Sequence, residues 1–170
     1  MLYRTLVNAC ADNDSFEKFI SSIPDGCTED IVIYHEGPGG YVTVLTKFLD
    51  FFNRYEGTVT IVDTGFSASC DANLLLFSNT KKVVSYSASM VIHKVFMNYS
   101  SLALKSTRQD FKQANEHLKM QNTTMDNLYR QILNDDEYKI YNSGENLHLH
   151  SNRIIELAAK AEELWFKKEA

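Results

Sequence analysis

The chain has 170 residues, 44% of them hydrophobic and 12% aromatic, enough for a single domain with a sizeable core. Its formal net charge is −5 without any basic cluster, which leaves nucleic acid and anionic membrane surfaces without electrostatic support as partners. No apolar run reaches the ~18 residues of a membrane span and no secretory-type leader opens the chain; Cys10, Cys27 and Cys70 are widely spaced, so a soluble cytoplasmic protein with reduced thiols is expected.

In chain order, Leu2–Val7 reads as a short strand. Asp12, Asn13, Asp14 and Ser15 offer N-caps to a helix carrying Phe16, Phe19 and Ile20, which ends at Pro24-Asp25-Gly26. The continuous apolar run Ile31–Tyr34 has the pattern of a parallel strand buried on both faces, and it leads straight into Gly37-Pro38-Gly39-Gly40. Val42, Leu45, Phe48, Leu49 and Phe52 fall at helical spacing and predict a helix from about residue 41 to 54. An alternating run from Gly57 to Asp63 then enters Thr64–Asp71, read as a tight turn of small residues, with Ala72–Phe77 as a short buried helix. This order is a pair of β-α-β units. Their two turns emerge at the same carboxyl end of a parallel sheet, where such sheets place their sites.

Lys82–Tyr86 and Ser89–Val95 read as two further strands, the apolar run of the second ending on His93. No Gly or Pro occurs from Leu104 to Leu133. Phe111, Ala114, Leu118, Gln121, Met125, Leu128 and Ile132 alternate at intervals of three and four, a 3.5-residue period. A helix of ~30 residues spans ~45 Å, more than the width of a domain this size, so it is expected to project and pack against another chain; the alternative is that it lies across its own core. Asn134–Asp136 breaks it, Tyr138–Tyr141 fits either helix or strand, and Gly144–His150 reads as a short alternating strand. A terminal helix with Ile154, Ile155, Leu157, Ala158, Ala161 and Leu164 starts from a cap at Ser151 or Asn152. The chain reads as one domain over residues 1–170, in which the long helix, about 104–134, is set off from the stretches of about 1–98 and 145–170.

Chemistry concentrates at Thr64–Asp71. A hydroxyl at Ser69 would sit in the first turn of a helix, where unpaired N–H groups and the dipole favour developing negative charge, so Ser69 is the candidate nucleophile. The plainer alternative makes Ser67 and Ser69 a turn and an N-cap. His148 and His150 share one strand face, but no Cys or carboxylate stands at ligand spacing and no zinc or other metal is expected. His35 and His117 stand in no special context, and Trp165 reads as packing.

The order Ile31-Val-Ile-Tyr-His-Glu-Gly-Pro-Gly-Gly40, Gly65-Phe-Ser-Ala-Ser69, Met90-Val-Ile-His93 and then a long helix resembles the proteolytic subunit of the Clp protease (ClpP) over most of the chain. The resemblance implies an α/β fold of repeated, ClpP/crotonase-like β-β-α spiral units with a handle helix. It makes Ser69 the nucleophile of a serine endopeptidase, His93 the general base and acid, and the backbone N–H groups of Gly39 and Cys70 the oxyanion hole. Asn146 falls at the position of the third, acidic member; Glu145, or Asp135 and Asp136 upstream, are the alternatives. It further implies self-association through helix 104–134 into a heptamer or a double-ring tetradecamer, peptide or unfolded-protein substrates, no cofactor, and a AAA+ unfoldase as partner, although the short stretch at the start leaves little room for axial loops.

Several positions depart from that family's pattern. Gly37 replaces a Ser, Asp71 replaces a Gly and puts a carboxylate in the first turn beside the nucleophile, and Asn146 replaces an Asp. Asparagine accepts the imidazole N–H but adds no charge to stabilise imidazolium. No glycine occurs between His93 and Gly144, so extended substrate would pair through Phe96–Tyr99 by backbone strand addition. Three rival readings remain: a crotonase-type acyl-CoA enzyme using Gly39, an α/β-hydrolase with Ser67 whose Ser-acid-His order is not met, and a catalytically weak or inactive ring subunit.

Overall fold

The computed structural model describes residues 1–96 and 108–166. They form two compact units, one of Met1–Ile92 with His148–Ala170 and one of His93–Leu147. The class is mixed α/β.

The first unit is built on a six-stranded sheet, with β1 (Leu2–Val7), β2 (Ile31–Gly37), β3 (Val59–Ala68), β5 (Ser89–Ile92) and β6 (Leu147–His150) in that spatial order. Strand β4 (Lys81–Val84) branches off β3. The pairings of β1 with β2, of β2 with β3, and of β3 with β4 and β5 are all parallel. One strand serves two neighbours in turn: Thr60–Asp63 pairs with β4, and Phe66–Ala68 pairs with β5. Helices α1 (Asn13–Ser21), α2 (Val42–Arg54), α3 (Ser69–Phe77) and α6 (Ser151–Trp165) complete the unit.

The inward positions of β2 and β3 are set by strand alternation. Ile31, Ile33 and His35 point into the core, and Val59, Ile61 and Asp63 do so in register beside them. The expectation that Ile31–Tyr34 is buried on both faces does not hold: Tyr34 is 43% exposed and Val32 half-buried. Within this unit the helices cover one sheet face, so alternation rather than a continuous apolar run decides which side chains are sealed.

Helix α3 is the centre of the unit. Cys70 to Phe77 are all buried, and the helix contacts β3, β5, α2 and α6. A helix buried all round, polar Asp71 and Asn73 included, needs such a central place. On its flank, Phe48 of α2 meets Phe16 and Phe19 of α1 at ring distances of 5.0 and 5.5 Å. Asp12 caps α1 by accepting from the Ser15 N–H. Neither Ser151 nor Asn152 caps α6: the N-cap is His150, because β6 runs directly into the helix and leaves both residues inside its first turn.

In the second unit, α4 (Arg108–Ile132) carries the 3.5-residue stripe as a half-buried face, and only its last turns, at Tyr129 and Ile132, are buried. Residues 104–107 of the expected helix, and 97–99 of the expected substrate strand, lie outside the described residues. Asn134 stops α4 by capping α5 (Asp135–Ser143) in a reciprocal box with Glu137, so the segment Tyr138–Tyr141 is helical. Gly144 closes α5 in the left-handed region (φ 89°), and the strand expected from Gly144 begins only at Leu147. Among the described residues no helix is long and apolar enough to cross a membrane.

Candidate functional site

Strand β3 does not end in a turn at Thr64. It continues to Ala68, which is extended (φ −133°, ψ 155°), and the chain reverses in the single residue Ser69, at φ 54°. Ser69 and Asn8 are the non-glycine residues with positive φ among the described residues. Such a backbone costs of the order of 1–3 kcal/mol and persists only where its surroundings enforce it. Here the enforcement is the direct splice of a ten-residue strand into a buried helix. The N-cap of α3 is Ala68, so neither Ser67 nor Ser69 caps it. Ser67 is fully buried, whereas Ser69 is partly exposed.

The Gly37–Gly40 loop lies against this junction. Gly39 has φ 101°, and a Cβ built there would stand 2.5 Å from Ser69 Cβ, 2.8 Å from Ala68 O and 3.1 Å from the Cys70 N. Glycine is required on both counts, backbone and space. Ser69, Cys70 and Gly39 are therefore brought together by the ends of β2 and β3.

Beneath them is a buried polar network. Asp71 Oδ2 accepts the Gly39 N–H at 2.8 Å, while Oδ1 accepts the Cys10 N–H at 3.3 Å and faces His35 Nε2 at 3.3 Å. On its other side the imidazole has Ser67 Oγ at 3.5 Å and Asp63 Oδ1 at 3.8 Å from Nδ1. Burial by itself would lower His35, but hydrogen bonds to Asp63 and Asp71 outweigh it and hold the imidazole above its ordinary value. Ser67, His35 and Asp71 thus form a line in the order of a catalytic triad, yet all three are fully buried, and the Ser67 hydroxyl donates to Asp63 at 2.6 Å. It is a structural network. His35 has no special context in the sequence, yet His35 and Asp63 continue the inward alternation of Ile31, Ile33 and of Val59, Ile61, a signal that marks both as core-facing.

Two thiols complete the lining. Cys70 Sγ donates to Gly40 O at 3.3 Å. A hydrogen bond shared between the thiols lowers Cys70 and raises Cys10.

The remaining expected site residues belong to the second unit. His93 is half-buried; its Nδ1–H donates to Lys94 O at 2.7 Å and its ring lies 5.4 Å from that of Phe96. A carbonyl acceptor at Nδ1 leaves Nε2 of the neutral ring as the acceptor, the tautomer a general base needs. Asn146 and Glu145 are exposed, as are Asp135 and Asp136 in the first turn of α5. In this structure the partner of the His93 Nδ1–H is the Lys94 carbonyl. The Lys94 ammonium in turn is held by Asn142 at 3.0 Å and Asp126 at 3.4 Å. No group of three His, Cys, Asp or Glu among the described residues is placed to hold a metal ion.

Comparison with individual curated proteins gives no match. The family model for Clp protease matches residues 20–154, a span that contains the Gly37–Gly40 loop, Ser69, His93 and Asn146 and most of the chain, and the protein therefore belongs to the Clp protease family.

Proposed function

We propose that this chain is a serine endopeptidase subunit in which Ser69 attacks the peptide carbonyl, His93 takes and returns the proton, and the N–H groups of Gly39 and Cys70 stabilise the tetrahedral oxyanion. The observation that carries this reading is the strained, partly exposed Ser69 at the β3–α3 splice, with Gly39 and the Cys70 N–H packed against it. A hydroxyl held this way stands at a helix start beside backbone donors, which is what acyl transfer uses. His93 is oriented through Lys94 O in this structure, and Asn146 is assigned as the third member in the competent arrangement.

The family match supports self-association into rings, with α4 as the handle and its half-buried stripe as the contact face. Repeated β-β-α spiral units, a heptamer or double ring, enclosure that admits peptides or unfolded chains, a AAA+ unfoldase partner and a cytoplasmic location belong to the same proposal. The match gives no support to the crotonase or α/β-hydrolase readings.

Intact-mass measurement after fluorophosphonate treatment tests the assignment. A single adduct absent from Ser69→Ala is expected. An assembled, folded sample without an adduct would overturn it in favour of an inactive ring subunit.

A further inference from the structure

Gly37 and Asp71 occupy one another's space. A Cβ at Gly37 would fall 2.2 Å from Asp71 Oδ2 and 2.8 Å from its Cγ, so a side chain at 37 and a carboxylate at 71 exclude each other. The carboxylate is fully buried and is gripped from three segments: His35 on β2, the Cys10 N–H after β1, and the Gly39 N–H in the loop after β2. Asp63 and Ser67 on β3 fix the far side of the imidazole, and the Cys10 and Cys70 thiols lie beside the loop. Hydrogen bonds to an ionised acceptor are about twice as strong as neutral ones.

The shortest of the three bonds is to Gly39, the residue whose N–H the peptidase reading assigns to the oxyanion. A backbone amide carries one proton and has one to donate. A second anion brought to that donor would also be repelled by the first, strongly so in a dry site.

Resting on the assignment of Ser69 and Gly39 above, we propose that Asp71 is a resident competitor for the oxyanion donor. The carboxylate keeps the Gly39 N–H turned onto itself, and the site is poorly active until that peptide is released. The chain carries its own inhibitory anion against one of the two assigned donors, the Gly39 N–H, and Gly37 is the residue that makes room for it. Release needs no external group: rotation of the Gly39 peptide away from Asp71 frees the proton, and the carboxylate retains Cys10 N–H and His35.

The test compares the fluorophosphonate labelling rates of the assembled wild-type chain, Asp71→Asn, and the double variant Asp71→Gly with Gly37→Ser, each with a Ser69→Ala control and circular dichroism to establish folding. Loss of one oxyanion donor typically slows reaction ~10²–10³-fold, so freeing a donor already partly engaged should speed labelling of the double variant by about 10–100-fold. Asp71→Asn, which keeps the shape and loses the charge, should fall between it and wild type. If wild type labels and neither variant labels faster, the proposal is wrong and Asp71 holds the loop in its working position, while the Ser69 assignment stands. Absence of labelling in all folded variants overturns both. If the double variant does not fold, Asp71→Asn decides alone: a faster rate supports the competitor and an equal or slower rate overturns it.

Discussion

Replacing Gly37 by alanine tests the packing of the Asp71 carboxylate directly. Gly37 is absent from the positive-φ residues, so alanine meets no backbone strain there and the cost comes from space alone. The new methyl would stand 2.2 Å from Asp71 Oδ2, 2.8 Å from Cγ and 3.0 Å from Asn8 Cα. Two responses are open. The neighbours can absorb the atom as overpacking, at about 1–3 kcal/mol, or the carboxylate can leave, giving up hydrogen bonds to a charged group worth about 1.5–3 kcal/mol each. The cheaper route sets the result, and a loss of about 2–3 kcal/mol is expected. In an Asp71→Gly background the closest obstacle is gone and the same alanine should cost under about 1 kcal/mol, a coupling of about 2 kcal/mol. Denaturant unfolding of wild type, both single variants and the double variant measures it by linear extrapolation. Additivity within about 0.5 kcal/mol would refute the reasoning, since residues that do not share space do not couple.

Three other outcomes are expected. Ser69→Gly relieves the left-handed strain at φ 54° and should raise stability by about 1 kcal/mol while abolishing fluorophosphonate labelling; an unchanged or lowered unfolding midpoint would count against the strained splice. Phe48→Ala removes a fully buried ring that meets Phe16, Phe19 and Phe52, and should cost about 3–5 kcal/mol in the same assay; a loss under about 1 kcal/mol would mean the cluster is not packed. His35 is held above its ordinary value of 6.5, so its stabilising contribution is complete below that pH and is lost as pH rises through the raised folded value. Urea midpoints should therefore decline from near neutral pH upward, and His35→Gln should flatten that decline; an identical pH profile in the variant would show the imidazole titrates as it does unfolded.

Local periodicity made most elements legible before any coordinates. The spacing of Val42, Leu45, Phe48 and Phe52 gave α2, and the caps at Asp12 explain where α1 starts. Small residues at Thr64–Asp71 misled, because their composition is that of a turn while pairing with β5 keeps Phe66–Ala68 in the sheet. Only tertiary context decides such a case. The nucleophile candidate and the Gly39 loop were readable from their positions at strand ends. The carboxylate at Asp71 was recognised as an anion in the first turn, but not that its proton donor would be Gly39, since that bond joins residues 32 apart in sequence. The contact between His93 Nδ1 and the Lys94 carbonyl was illegible for another reason: a backbone acceptor leaves no mark on residue identity.

The chain has one tryptophan, Trp165, and its ring rests 5.3 Å from that of Phe77, where the last turn of α6 meets the end of α3. Selective excitation of indole emission consequently watches the first unit alone, at the helix that begins with Ser69. The second unit has no indole but contributes α4 and α5 to far-ultraviolet dichroism. Melting curves from the two signals, laid over one another, report whether the halves of the chain come apart in one cooperative step or in two.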